Sequence, residues 1–459
     1  MKQIWLLILA CIAMIACRQQ APSESTPAYD LPQMKDSGVL VALTLNSSIS
    51  YFDYCGEPMG FQYELAKHFA QSLGLKLEIK TAKNVNDLVH KLLRGEGDLI
   101  AYPLPVTKQY KDSVSFCGEE IITHQVLVQR NASKKFTPVK DVTELIGKEV
   151  YTKPGKHLSR LINLDSELGG GILIHRVDND SITIEDLMMQ VSNGTIDYAV
   201  CDDDLARLNK TYYPNLNIDL AISFDQRASW AVRKDAPLLC EAANRWHSEN
   251  EVSPEHKAST KRYFEISKRT PHGSILSLKD GKISHFDQLF KKYAKEIDWD
   301  WRVLASLAYT ESNFDTTAVS WAGAKGLMQL MPKTAYAMGV PVGKEHNAEE
   351  SIKAASKYLA LTARSFTKIT DPDEKVKFIL GSYNAGIGHI FDAMALAEKY
   401  GKNKYVWDDN VAEFVLLKSH EEYYTDPVCK NGYFRGRETY NFVKEILSRA
   451  EVYRQKIKD

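Results

Sequence analysis

The sequence predicts a multidomain protein, with two α/β lobes followed by a mainly helical domain. Three observations predict it. Strand and helix patterns alternate from residue 38 to about 265. A helix, a Gly-x-x-Asp turn and a strand occur in that order twice, about a hundred residues apart, at Gly95 and at Gly194. Strand signals then vanish beyond residue 284. The 459 residues are enough for about three compact units of ~150 residues.

The chain opens with "MKQIWLLILACIAMIAC", one Lys and then an apolar run from Ile4 to Ile15. That run is short of the ~20 residues that span a bilayer, and it suits a secretory leader. Met14-Ile15-Ala16-Cys17 resembles the bacterial lipobox, with Met14 in the place usually taken by Leu. The resemblance implies a signal peptide over 1–16 and a lipidated Cys17, hence a membrane partner through a lipid anchor. Arg18 does not resemble the Asp that retains lipoproteins at the inner membrane, so the outer membrane, facing the periplasm, is the expected location. Residues 17–37, polar and proline-bearing, read as a tether.

The first lobe follows. "GVLVALTL" (38–45) reads as a strand, and "GFQYELAKHFAQSLG" puts Phe61, Leu65, Phe69 and Leu73 on one helical face. "LKLEI" alternates like a strand. "NDLVHKLLRGEGDLIAY" gives a helix carrying Leu88, Leu92 and Leu93, a Gly stop, and a strand from Asp98. The second lobe repeats this with "LMMQVSNGTIDYAVCDDD". "ASWAVRKDAPLLCEAANRWHSE" (228–249) reads as a strand and helix returning to the first lobe. Such alternation implies parallel sheets with a cleft between the lobes.

"SKRTPHGSILSLKDGKIS" (267–284) reads as a linker. Beyond it the apolar residues keep helical spacing: Phe286, Leu289, Phe290, Tyr293, Ala294 and Ile297, then Val376, Ile379, Leu380 and Tyr383, then Tyr440, Val443, Leu447 and Ala450. Asp300 is placed to cap a helix in which Leu304, Leu307, Ala308 and Glu311 share a face. The pattern breaks after Glu311. A buried carboxyl near a helix C-terminus is disfavoured as an anion by desolvation and by the helix end. A carboxyl that keeps its proton suits a glycosidic general acid; the residues alone equally allow the alternative of a buried Glu paired with a basic residue.

Composition narrows the choice. A formal net charge of −1 and the absence of a basic run argue against nucleic acid. No C-x-x-C occurs, "HEEYY" lacks the second His of a zinc motif, and Gly169-Gly170-Gly171 lacks the end of a phosphate loop. No metal or nucleotide cofactor is implied.

Two resemblances sharpen the reading. "GVLVAL", "GFQYELAKHFAQSLGLKLE", "LLRGEGDLIA", "VTKQYKDSVSF" and "GTIDYAVCD", in that order, resemble family 3 periplasmic solute-binding proteins, which implies a two-lobed domain over 38–266. The family's ligand cleft falls on Tyr51, Tyr110 and Asp202. Tyr110 replaces the Arg that would clamp a carboxylate, while Asp202 matches the amine-binding acid. A cell-wall peptide or amine-bearing fragment is therefore a better expected ligand than a free amino acid. In this fold Cys55 and Cys117 lie in loops bordering the first-lobe cleft, so they are the expected disulfide.

"ESNFDTTAVSWAGAKGLMQLMPKTA" (311–335) and "SYNAG" (382–386) resemble the lytic transglycosylase domain of the goose-lysozyme-like superfamily, with Ser382 where Ala is common. "NGYFRGRETYNFVKEI" (431–446) resembles the tail of membrane-bound members that carry both domains in this order. The resemblance implies a lysozyme-like domain over 285–459 that acts on peptidoglycan glycan strands. It makes Glu311 the sole acid/base. Gln329, Met331, Tyr383, Asn384 and Glu438 become substrate-cleft residues, although helical spacing allows Met331 and Tyr383 to be core. Trp299, Trp301, Trp321 and Trp407 are available for cleft walls or core. Two rival readings remain: a muramidase-type hydrolase using Asp315, and a non-catalytic cell-wall ligand sensor.

Overall fold

The structure is a computed structural model, described here for residues 29–54, 56–179, 182–266 and 281–457. The leader, Cys17 and most of the expected linker lie outside these residues.

The first lobe is a five-stranded sheet in the order β4-β1-β5-β12-β6. Its strands are β1 (Val39–Leu45), β4 (Lys76–Ala82), β5 (Leu99–Pro105), β6 (Val114–Thr123) and β12 (Gln226–Arg233). A two-stranded hairpin, β2 (Phe52–Tyr54) and β3 (Glu57–Met59), projects beside it. The second lobe has the order β11-β7-β10-β8-β9. These strands are β7 (Gln125–Arg130), β8 (Glu149–Thr152), β9 (Leu173–Arg176), β10 (Tyr198–Asp202) and β11 (Leu216–Ala221).

The sheets are mixed rather than parallel. β1 pairs in parallel with β4 and β5, as helical crossovers require, but β12 runs antiparallel to both β5 and β6. The reason is connectivity. The chain leaves the first lobe along β6, enters β7 through His124, and returns along β12, so a returning strand must run against an outgoing one.

The two helix–turn–strand repeats form as expected. Helix Val85–Leu93 buries Leu88 and Leu92, while Leu93 faces solvent. Asp98 then accepts a hydrogen bond from the Val41 amide at 2.9 Å, which fixes the start of β5 against β1. Helix Ile184–Asn193 ends on Gly194 in the left-handed region, at φ 83°.

The tether is shorter than expected, because its last residues are folded. Leu31–Ser37 is a helix capped by Asp30, and Met34 is fully buried in the first-lobe core. The Asp30 carboxylate also accepts from the Leu238 and Leu239 amides at 2.8 and 2.9 Å, capping helix Pro237–Asn250. A short polar stretch with one buried Met carries little periodic signal, so the sequence could not separate it from linker.

The second domain is helical. Helices Asp287–Glu296, Trp301–Ser312, Ala348–Ala363, Pro372–Ala385, Ile387–Lys399 and Gly436–Lys456 surround one core that includes Leu304, Leu307, Ile379, Leu380, Val443 and Ala450. Ile283, at the end of the expected linker, already belongs to that core. The two domains are in contact. Ala322 and Tyr433 of the helical domain join the buried cluster of the first lobe.

Candidate active site

Helix Trp301–Ser312 positions Glu311. Asp300 caps it by accepting from the Arg302 amide at 2.9 Å, and Leu304, Leu307 and Ala308 bury its inner face. The helix stops at Asn313 and Phe314, both in the left-handed region at φ 53° and 64°. Glu311 therefore sits on the last turn, where carbonyls point outward. The residue is partly exposed as a whole, but its carboxyl end is enclosed, and desolvation raises its pKa to about 8. At neutral pH the group holds its proton, ready to donate.

The following loop, 318–331, is anchored on two sides. Ser312 donates to the Leu327 carbonyl at 2.7 Å, and Tyr383 donates to the Met328 carbonyl at 2.6 Å. Gln329 uses its side-chain amide to hold the same loop, donating to the Gly326 and Ala318 carbonyls at 2.7 and 3.2 Å. Gly326 has φ 74°, and a Cβ there would lie 2.2 Å from the Glu345 carbonyl oxygen, so the position demands glycine. Thus Tyr383 and Gln329 shape the loop beside Glu311. Ser382, the departure from the usual Ala, is buried and donates to the Phe378 carbonyl at 2.8 Å.

Asn384 and Glu438 meet on another wall. Thr439 donates to Asn384 Oδ1 at 2.7 Å, and Asn384, Glu438, Arg435 and Phe434 line one cavity with Trp321. The opposite wall comes from the other domain: Phe52, Asp53, Tyr54 and Tyr212. Tyr54 and Phe52 approach the Trp321 ring at 5.5 and 6.4 Å between centroids. Only about 30 Å³ is left free there, the room of roughly one water. Met331 lines a wider groove of about 560 Å³ between the domains, beside Glu57, Tyr63 and Lys333. Trp301 and Trp407 are core residues.

Arg435 was not foreseen from sequence. Its guanidinium lies 2.5 Å from Glu438, 3.5 Å from Glu185 of the second lobe, and 4.0 Å over the Tyr212 ring. Nearby, Tyr433 donates to Glu185 at 3.0 Å and Arg437 pairs with Asp186 at 2.6 Å. The segment is held from below by Lys418. Fully buried, it donates to Asp392 at 2.5 Å and to the Asn431 carbonyl at 2.6 Å, with His389 Nδ1 at 3.2 Å. Burial and the Lys418 charge lower the His389 pKa to about 3, so that ring stays neutral.

Asp315 is exposed, and its carboxylate accepts from the Thr317 amide and hydroxyl, each at 2.7 Å. It caps a turn. In the two-lobed domain each of the expected cleft residues contacts neighbours within the domain. Asp202 is held by Lys156 at 2.7 Å and His157 at 3.2 Å. Tyr110 packs on the first-lobe core and donates to Asn86 at 2.8 Å. Tyr51 stands edge-on to Tyr63 at 5.6 Å. The expected Cys55–Cys117 disulfide involves a residue, Cys55, outside those described. Cys117 is a buried free thiol within β6, and Cys240 Sγ lies 3.6 Å from the carbonyl of the residue before it, Phe116.

Fold and site together define a solute-binding-like domain joined to a peptidoglycan lytic transglycosylase. Comparison with known proteins agrees. Residues 41–266 match the family of bacterial extracellular solute-binding proteins, family 3, and residues 288–406 match the transglycosylase SLT domain. The "Membrane-bound lytic murein transglycosylase F" of Desulfosudis oleivorans is 32% identical over 92% of this chain and 92% of its own. That of Pseudomonas fluorescens strain Pf-5 is 30% identical over 96% of this chain and 89% of its own. The chain belongs to the membrane-bound lytic murein transglycosylase F family.

Proposed function

We propose that the enzyme cleaves the β-1,4 bond between N-acetylmuramic acid and N-acetylglucosamine without water, leaving a 1,6-anhydro end, with Glu311 as its acid and base. The supporting observation is the enclosed, proton-holding Glu311 at the end of its helix. Glu311 protonates the glycosidic oxygen as the bond breaks. The substrate's own 2-acetamido group stabilises the cation at C1. Glu311, now a carboxylate, takes the proton from the 6-hydroxyl of the same sugar, and that oxygen closes on C1. No second carboxylate is needed, in contrast to glycosidases with a pair ~5–9.5 Å apart. Asp315, the candidate second carboxylate of a hydrolase, is spent on a turn in the solvent. Gln329, Tyr383 and Asn384 shape the cleft, and Met331 and Glu438 border the glycan path.

The two-lobed domain modulates this activity. Supporting this, Phe52 and Tyr54 wall the cavity that holds Asn384 and Glu438, and Arg435 bridges Glu438 to the second lobe. A cell-wall peptide or amine-bearing fragment that rearranged the lobes would change that wall. Tyr51, Tyr110 and Asp202 are the candidate ligand contacts. The chain is held in the envelope by lipid on Cys17, in the outer membrane. Cys17→Ala tests this: the variant is expected in the soluble periplasmic fraction, and firm membrane retention in high salt would reject the anchor. The chemistry is tested by weighing the products of purified peptidoglycan.

A further inference from the structure

We infer that Cys117 and Cys240 are a disulfide site, closed when the protein matures in the cell envelope. Cys117 lies within β6 and is 3% exposed. Cys240 is on the first turn of helix Pro237–Asn250, which packs across that strand. Two contacts fix the approach, and the two thiols influence each other's titration. Cys240 Sγ lies 3.6 Å from the carbonyl of Phe116, the residue before Cys117. Asn244, one turn on, accepts from the Gly118 amide at 2.8 Å, clamping the helix to the strand on the other side of Cys117.

The pair is also polarised for exchange. Asn244 Nδ2 lies 3.9 Å from Cys240 Sγ, and hydrogen bonds from Cys117 and Asn244 lower the Cys240 pKa to about 7. Cys240 is the more exposed of the two. Its thiolate attacks one sulfur of an oxidant disulfide, such as a thiol–disulfide oxidase, and expels the other sulfur as thiolate. Cys117 then gives up its proton to that base and attacks Cys240 Sγ, expelling the second oxidant sulfur. Two cysteine thiols are oxidised to one disulfide, and the oxidant disulfide is reduced to two thiols.

The link would join residues 123 apart in sequence (240 − 117). It would pin the first-lobe end of β6, the strand that leads into the crossing between lobes. The test is mass mapping of full-length protein exported from an oxidising compartment, alkylated before digestion and left unreduced. The expected result is a Cys117–Cys240 peptide pair two hydrogens lighter than the sum of the free peptides. Reductant should also lower the melting temperature of the wild type but not of Cys240→Ser. Recovery of both cysteines alkylated, or of Cys117 joined to Cys55, would overturn the inference.

Discussion

Arg435 joins carboxylates of two domains: its guanidinium lies 2.5 Å from Glu438 in the helical domain and 3.5 Å from Glu185 in the second lobe. A buried guanidinium between two acids is costly to leave half-paired. A displacement of the second lobe would therefore leave Arg435 paired with Glu438 alone.

That relation predicts the outcome of Glu185→Gln. The change keeps the shape but removes the charge that ties Arg435, Tyr433 and Ser48 to the second lobe. If the lobe restrains the cleft, turnover of purified glycan by the full-length variant should rise several-fold. Unchanged or lower turnover, with an unaltered melting curve, would remove this contact as a restraint.

Glu311→Gln should lower glycan cleavage by about 10²–10⁴-fold, the usual worth of general acid–base catalysis. It should also stabilise the fold in a pH-dependent way. The folded pKa is raised from 4.5 to about 8, so the folded protein holds a proton that the unfolded chain releases. Wild-type stability from this group is retained below pH ~4.5 and lost as pH rises towards ~8, by on the order of a few kcal/mol. Gln carries no such penalty. The melting temperature of Glu311→Gln should exceed that of the wild type at pH 8 and match it near pH 4. Equal melting temperatures at both pH values would mean the carboxyl is solvated.

Much of this site was legible in sequence, and the reason is local. Asp300, the run to Glu311 and the break after it define one helix by capping and period alone. The 318–331 loop carries a motif whose Gly326 is dictated by backbone approach. What was not legible is long-range. Nothing near Arg435 indicates that its partner is Glu185, 250 positions away. Lys418 and Asp392 look like ordinary surface charges until the fold buries them together. The helix at 237–250 was legible, but its packing across β6, which brings Cys240 beside Cys117, was not, because periodicity does not say what a helix packs against.

Asp315→Asn should keep glycan cleavage within a few-fold of wild type, because the carboxylate only caps the Thr317 turn. Asn keeps an acceptor oxygen for the Thr317 amide, so urea unfolding should change by less than ~1 kcal/mol. A collapse of activity with stability preserved would favour the hydrolase.

Asp202 remains ionised, because hydrogen bonds and charge from His157 and Lys156 outweigh its burial, and the Lys156 ammonium stands where a ligand amine would be expected. Calorimetry should therefore find no micromolar binding of common free amino acids. Lys156→Met should open Asp202 to amine-bearing fragments and strengthen their binding. Tight binding of an amino acid to the wild type, or no gain in Lys156→Met, would contradict the placement.

The most direct measurement is the mass of the muropeptides released from purified peptidoglycan by the full-length enzyme. Non-hydrolytic cleavage by Glu311 alone predicts 1,6-anhydro ends, each one water lighter than a reducing end and unable to be reduced by borohydride. Products that carry reducing ends, and that gain heavy oxygen when the digestion is run in labelled water, would contradict it.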